Sequence, residues 1–119
     1  MGAKIPVEIM HENYQVHYDE ASKSLSCKGS FRLQGSEYQP IQDLMNGVAD
    51  SAPQPLTVDL RELEFLNSSG INTLAKFVLQ LRKNGVSEVK VQGSNKYPWQ
   101  EKSLKNLQRL LPSLELEIS

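Results

Sequence analysis

The run Phe65-Leu66-Asn67-Ser68-Ser69-Gly70-Ile71-Asn72-Thr73-Leu74 sets two hydroxyls and a glycine where an apolar stretch gives way to helical spacing. Asn and Ser begin helices well, because a side-chain oxygen at the cap accepts one of the amides that the first turn leaves without an intrahelical partner. Those amides together carry about half a positive charge, so an anion placed there is favoured by about 0.3 to 1 kcal/mol. A serine at this point is therefore either a plain cap, a common feature that contributes about 1 kcal/mol, or an acceptor whose phosphate the helix end would tolerate. Gly70 leaves the first turn without a side chain, an opening through which another protein's active site could reach the serine.

Other chemistries lack their residues. A nucleophile elbow requires glycine two positions before and two after the serine, and around Ser68 those positions hold Leu66 and Gly70. Both histidines, His11 and His17, precede Ser68, so no serine, acid and histidine follow one another in triad order. No catalytic residue is assigned, and the chain is read as a non-enzyme. The histidines lie six apart, with no second cluster of Asp, Glu or Cys at ligand spacing, so neither a metal nor a cofactor is expected. The lone cysteine, Cys27, can build neither an intramolecular disulfide nor a thiolate zinc site; it reads as a small core residue in a reducing compartment.

Charge and hydropathy narrow the classes further. Thirteen basic residues stand against fourteen acidic ones, and the basic side chains from Lys76 to Arg109 alternate with polar and apolar neighbours. That describes solvated helix faces rather than the clustered positive face of a nucleic-acid binder. No apolar run approaches the roughly 18 to 20 residues that cross a bilayer. Met1-Gly2-Ala3-Lys4-Ile5-Pro6 runs into Glu8, His11 and Glu12 without the apolar core of a secretory signal, so a cytoplasmic location without membrane insertion is expected.

The elements that must position Ser68 follow from periodicity. At 119 residues, one domain over 1–119 is the expectation. Tyr14 to Tyr18 alternates as a half-buried strand, and Leu25, Cys27, Gly29, Phe31 and Leu33 continue on one face after a turn over Asp19 to Ser24, which predicts a hairpin. Ile41, Leu44, Met45 and Val48 recur at helical spacing, ending between Gly47 and Pro53. Leu56 to Leu60 reads as a strand and Arg61 to Leu66 as a connection. A helix follows from about Ser68 to Asn84, with Ile71, Leu74, Ala75, Val78 and Leu81 on one stripe and Gly85 placed to stop it. Val86 to Val91 returns as a strand, Gly93 to Trp99 as a polar loop, Leu104, Leu107 and Leu111 mark a third helix, and Leu114 to Ile118 a last strand.

Strand, helix, strand from Leu56 to Val91 is a βαβ unit whose strands must be parallel, and with the leading hairpin the sheet is mixed. The fold class is thus α/β, a mixed sheet packed with amphipathic helices. Both parallel strands end on one edge, so the loop before Ser68 and the loop from Gly93 to Trp99 are expected to be neighbours there. Trp99 and Tyr97 then join the candidate contact surface, although Trp99 could equally be a core or hinge aromatic. Asn72 and Lys76, four apart on the polar face of the helix, extend that surface.

Val58-Asp59-Leu60, then Phe65-Leu66, then Asn67-Ser68-Ser69-Gly70 and a helix resembles the STAS domain family of bacterial anti-sigma factor antagonists, whose signature is a strand ending in Asp-Leu, a connection with Phe, and Asp-Ser-Ser-Gly. The motif covers about twenty residues, while the element order agrees over nearly the whole chain. The resemblance implies a signalling protein that regulates transcription by partner switching: the first serine, here Ser68, is phosphorylated by a kinase that is also the anti-sigma factor, and a serine phosphatase reverses it. Ser69 is the second choice for the modified residue. Asn67 departs from the family's Asp, keeping the cap but losing a negative charge beside the acceptor. Other relatives act as unphosphorylated adaptors in transporter or signalling assemblies, which leaves a second reading open. The sequence names no partner, and the oligomeric state stays undetermined.

Overall fold

In a computed structural model the described residues are 8–119; Met1 to Pro6, read above for an export signal, lie outside them. Alternating apolar and polar residues build β1 (Glu8–Met10), β2 (Tyr14–Asp19) and β3 (Ser24–Phe31), and β2 pairs antiparallel with both neighbours. A 3₁₀ turn over Gly35–Tyr38 leads into α1 (Gln39–Asp50); β4 (Leu56–Leu66), α2 (Ser68–Lys83), β5 (Val89–Gly93), α3 (Pro98–Leu110) and β6 (Glu115–Ile118) follow. The six strands lie in the order β1-β2-β3-β4-β5-β6, with every pair from β3 to β6 parallel. The expected mixed α/β sheet is what the chain forms.

One sheet face carries Val16, Leu25, Cys27, Val58, Leu60 and Val91, and it shares a single core with Ile41 and Met45 of α1, Leu74, Val78 and Leu81 of α2, and Leu104 of α3. Deep burial pushes the Cys27 thiol up to about 12. The other face bears Gln15, His17, Lys28, Asp59, Lys90, Glu115 and Glu117, exposed or partly so. Its charges are locally matched: Lys28 to Glu62 at 3.3 Å, Arg61 to Asp59 at 2.9 Å, and Lys90 to Glu117 at 3.5 Å. The Arg61 guanidinium, hydrogen-bonded to the Asp59 carboxylate, holds that carboxyl below its ordinary range.

Three boundaries differ from expectation. Arg61 to Leu66 is strand rather than connection, because β3 keeps pairing with β4 as far as Phe31 opposite Leu66. Two register shifts let β4 spend extra residues there, and Arg61, Glu62, Glu64 and Phe65, which read as loop, are exposed strand positions. β5 starts at Val89 rather than Val86; the Val86 amide instead donates to the Leu81 carbonyl at 2.9 Å beyond Gly85, whose φ of +80° closes α2. α3 starts at Pro98, a residue suited to a first helical turn, so Trp99 belongs to the helix and not to the preceding loop. Strand β1 is three residues long, too short to announce itself by alternation.

Candidate functional site

Ser68 is the first residue of α2 and is exposed, at the edge of the sheet where the parallel strands end. Asn67, extended at φ −83° and ψ 177°, is its N-cap. The Gly70 amide donates to Asn67 Oδ1 at 2.9 Å, and the Tyr38 hydroxyl donates to the same oxygen at 2.6 Å. On its other side Asn67 Nδ2 donates to the Leu33 carbonyl at 2.6 Å. A backbone amide can only donate and a carbonyl only accept, so these partners fix which way the Asn67 amide points. The cap thus ties α2 to the segment between β3 and the 3₁₀ turn, and the Asn67 backbone amide adds a bond to the Phe31 carbonyl at 3.3 Å.

Gly70 serves a purpose other than the one expected. It is buried, and a β-carbon there would collide with Leu66 Cδ1 and stand 2.7 Å from the Tyr38 hydroxyl. Its bare side therefore faces inward, letting the first turn of α2 settle onto β4 and Tyr38, rather than outward to admit a partner. Burial raises the Tyr38 hydroxyl above its ordinary pKa, keeping it a donor to the cap. Ser69 is half-buried, and its carbonyl accepts from Thr73 Oγ1 at 2.9 Å. Asn72 and Lys76 are exposed along the outer side of α2.

The loop after β5 does come to β4. Trp99 is partly buried against the core, and its Nε1 donates to the Glu64 carbonyl at 2.9 Å. Tyr97, half-buried, precedes α3 with Lys96 Nζ 5.7 Å from its ring centre. The contact is with residues 60–64, upstream of Asn67, and Ser68 makes no hydrogen bond with this loop.

Sequence reasoning missed the residue that fastens this loop. Gln100 is fully buried; its Nε2 donates to the Leu60 carbonyl at 2.7 Å and the Leu63 carbonyl at 2.9 Å, while its Oε1 accepts from the Ser94 amide at 2.8 Å. β4 pairs with β5 only from Leu56 to Asp59, so those two carbonyls lie past the ladder, and Gln100 supplies the donors that β5 no longer does. The signal was legible: Gln100 stands four residues before Leu104 on the apolar stripe of α3, where a polar residue needs buried partners. Tyr38 announces itself the same way, three residues before Ile41.

Among the described residues no group of three or more His, Cys, Asp or Glu could hold a metal, and no helix is long and apolar enough to cross a membrane. A mixed sheet with helices packed on one face, and a helix that starts at Ser68 behind an Asn67 cap, define an α/β domain of the STAS type. The chain belongs to the STAS domain family, whose model matches residues 10–92. No curated protein sequence matches it. Among solved structures, SiaC of Pseudomonas aeruginosa superposes with a TM-score of 0.71 at 18% identity, over 94% of this chain and 95% of that one. A chain in the complex of diguanylate cyclase SiaD with its activator SiaC, from the same organism, gives 0.71 at 18% over 93% and 96%. An anti-sigma factor antagonist from Mycobacterium paratuberculosis gives 0.64 at 20% over 87% and 86%. At these identities the likeness is one of fold.

Proposed function

We propose that this protein is a non-enzymatic, cytoplasmic regulator that switches between protein partners according to the phosphorylation of Ser68. The observation that carries the reading is the exposed Ser68 on the first turn of α2, beside a cap whose side-chain oxygen and nitrogen are both hydrogen-bonded elsewhere. Asn67 is thereby occupied in holding the turn, and Ser68 is the hydroxyl left for modification; Ser69, half-buried, is the second choice. A phosphate at that position adds about 1.5 to 2 negative charges, which the amino end of the helix accommodates. By resemblance to anti-sigma factor antagonists, the proposed partners are a kinase of the anti-sigma factor type that adds the phosphate and a serine phosphatase that removes it. The proposed contact surface takes Asn67, Ser68, Ser69 and Gly70 from the motif, Asn72 and Lys76 from the exposed side of α2, and Tyr97 and Trp99 from the neighbouring sheet edge. In that surface Gly70 acts from below, by shaping the turn.

A second reading is supported by the likeness to SiaC, an activator found in complex with a diguanylate cyclase. On that model the protein is an adaptor that modulates a signalling enzyme by binding it, and a sigma factor need not be involved. Phosphate mapping on protein purified from its native host, together with identification of what co-purifies, tests both. Phosphate on Ser68 supports the switch; protein that holds its partner yet never carries phosphate leaves the adaptor. A chain that recovers no partner in either state counts against both.

A further inference from the structure

Leu79 is 45% exposed, one of three large apolar side chains so exposed among the described residues. The other two are accounted for locally: Phe65 lies under the Arg32 guanidinium at 4.6 Å, and Met10 belongs to the short edge strand β1. Leu79 sits in the middle of α2's solvent side. It follows Ser68 by eleven residues, close to three turns at about 3.6 residues per turn, so the two share one line along the helix roughly 16 Å apart. Ile71 and Ala75, both half-buried, complete an i, i+4, i+8 ridge with Leu79, and the next ridge carries Ser68, Asn72 and Lys76. α2 packs against both α1 and α3, which puts this line at the centre of the helical layer.

The charge of the same helix is one-signed. Its charged residues are Lys76, Arg82 and Lys83, with no acid from Ser68 to Lys83, and among the described residues none of the three makes an ion pair. On the sheet's opposite face, by contrast, Lys28, Arg61 and Lys90 are all matched by carboxylates. Two exposed lysines seven residues apart, flanking an apolar side chain, are complementary to an apolar pocket with an acidic rim.

We propose that the outer line of α2, from Ser68 to Lys83, is the docking face for a protein partner whose contact surface is an apolar pocket rimmed by Asp and Glu, with Leu79 as the buried anchor. This rests on the partner-binding reading above and specifies the partner's chemistry. It also explains how a modification at Ser68 would be felt: a phosphate at one end of the line confronts a surface that is itself acidic.

The test is photocrosslinking of the full chain in its native host, with p-benzoylphenylalanine placed at position 79 and, separately, at position 68, and the crosslinked peptides identified by mass spectrometry. The expected result is adducts from both positions to one protein, with position 79 reaching a segment that contains at least a pair of carboxylates. With that protein purified, Leu79→Asp and the double variant Lys76→Glu, Lys83→Glu should each weaken binding by about 30-fold or more, the loss of a hot spot, while Leu79→Asp melts as wild type does. Raising the salt concentration should weaken wild-type binding. An adduct from position 68 without one from 79, an adduct to a segment lacking acids, or binding unchanged in both variants overturns the docking face and leaves the switch at Ser68 standing. Adducts from neither position overturn the partner-binding reading as well.

Discussion

Asn67 donates from its side-chain amide to the Leu33 carbonyl at 2.6 Å while the oxygen of the same amide caps α2 through Gly70. The family's Asp could supply only the second of these bonds. An aspartate here would turn a carboxylate oxygen toward the Leu33 carbonyl, two acceptors with no proton between them. Asn67→Asp is therefore expected to cost about 1 kcal/mol or somewhat more, the low end of the penalty for stranding an acceptor, because Leu33 is only half-buried. Protonation restores a donor, and a carboxyl that is destabilised when charged takes up its proton more readily folded than unfolded, so the deficit should narrow as pH falls towards about 4, the unfolded carboxyl's value. Denaturant titrations of both proteins at pH 7 and at pH 3.5 measure this; an aspartate variant as stable as wild type at pH 7 would mean the Leu33 bond contributes nothing. Faster phosphorylation of the variant by its kinase would show separately that the missing carboxylate matters to the switch.

Gly70→Ala should destabilise the protein by about 1 to 3 kcal/mol, because its methyl group must displace Leu66 or the Tyr38 hydroxyl in a packed first turn. If Gly70 instead served only to admit a partner, the variant would melt normally and merely bind less well.

Ser68→Asp and Ser68→Ala are both expected to melt near the wild-type temperature, since Ser68 is exposed and its side chain makes no hydrogen bond to another described residue. Their partner affinities should diverge. A negative charge against a surface fitted to the neutral serine typically costs about 2 to 5 kcal/mol, roughly 30-fold to several thousand-fold in affinity. Equal binding of every partner by both variants would move the switch away from this serine.

Leu74→Ala or Val78→Ala should cost roughly 1 to 4 kcal/mol, because both side chains are buried between α2 and the sheet, whereas Leu79→Ala should stay within about half a kcal/mol. Thermal melts of the three variants read the two faces of α2 directly. A large loss at Leu79 would place it in the core.

Cys27 should resist alkylation in the folded protein at pH 8. Its thiol is fully buried and raised to about 12, so almost no thiolate exists to react. The sign of the linkage follows: the unfolded thiol ionises near 8.5 and the folded one does not, so this group's contribution to stability is intact below that pH and declines as pH rises through it. Labelling that is complete before the protein unfolds in denaturant would contradict this.

What the residue order by itself determined here is whatever depends on local chemistry and period. The hairpin, the three amphipathic helices, the buried stripe of α2, the cap at Asn67 and the exposed Ser68 all follow from apolar spacing and from what Asn, Ser, Gly and Pro do to a backbone. The STAS motif is short-range too, which is why it is legible in some twenty residues. What tertiary structure decided is whatever depends on a neighbour distant in sequence. Arg61 to Leu66 read as a connection, yet they are strand because β3 pairs with them from one side, while on the other Gln100 takes the Leu60 and Leu63 carbonyls and Trp99 the Glu64 carbonyl. Gly70 reads as an opening, but Leu66 and Tyr38 press against it from within. Asn67 reads as a weakened Asp until Leu33, thirty-four residues away, is seen to need its amide proton. In each case the local preference was a weak one of about 1 kcal/mol or less, and a hydrogen bond or a packed contact from across the fold was enough to decide the outcome.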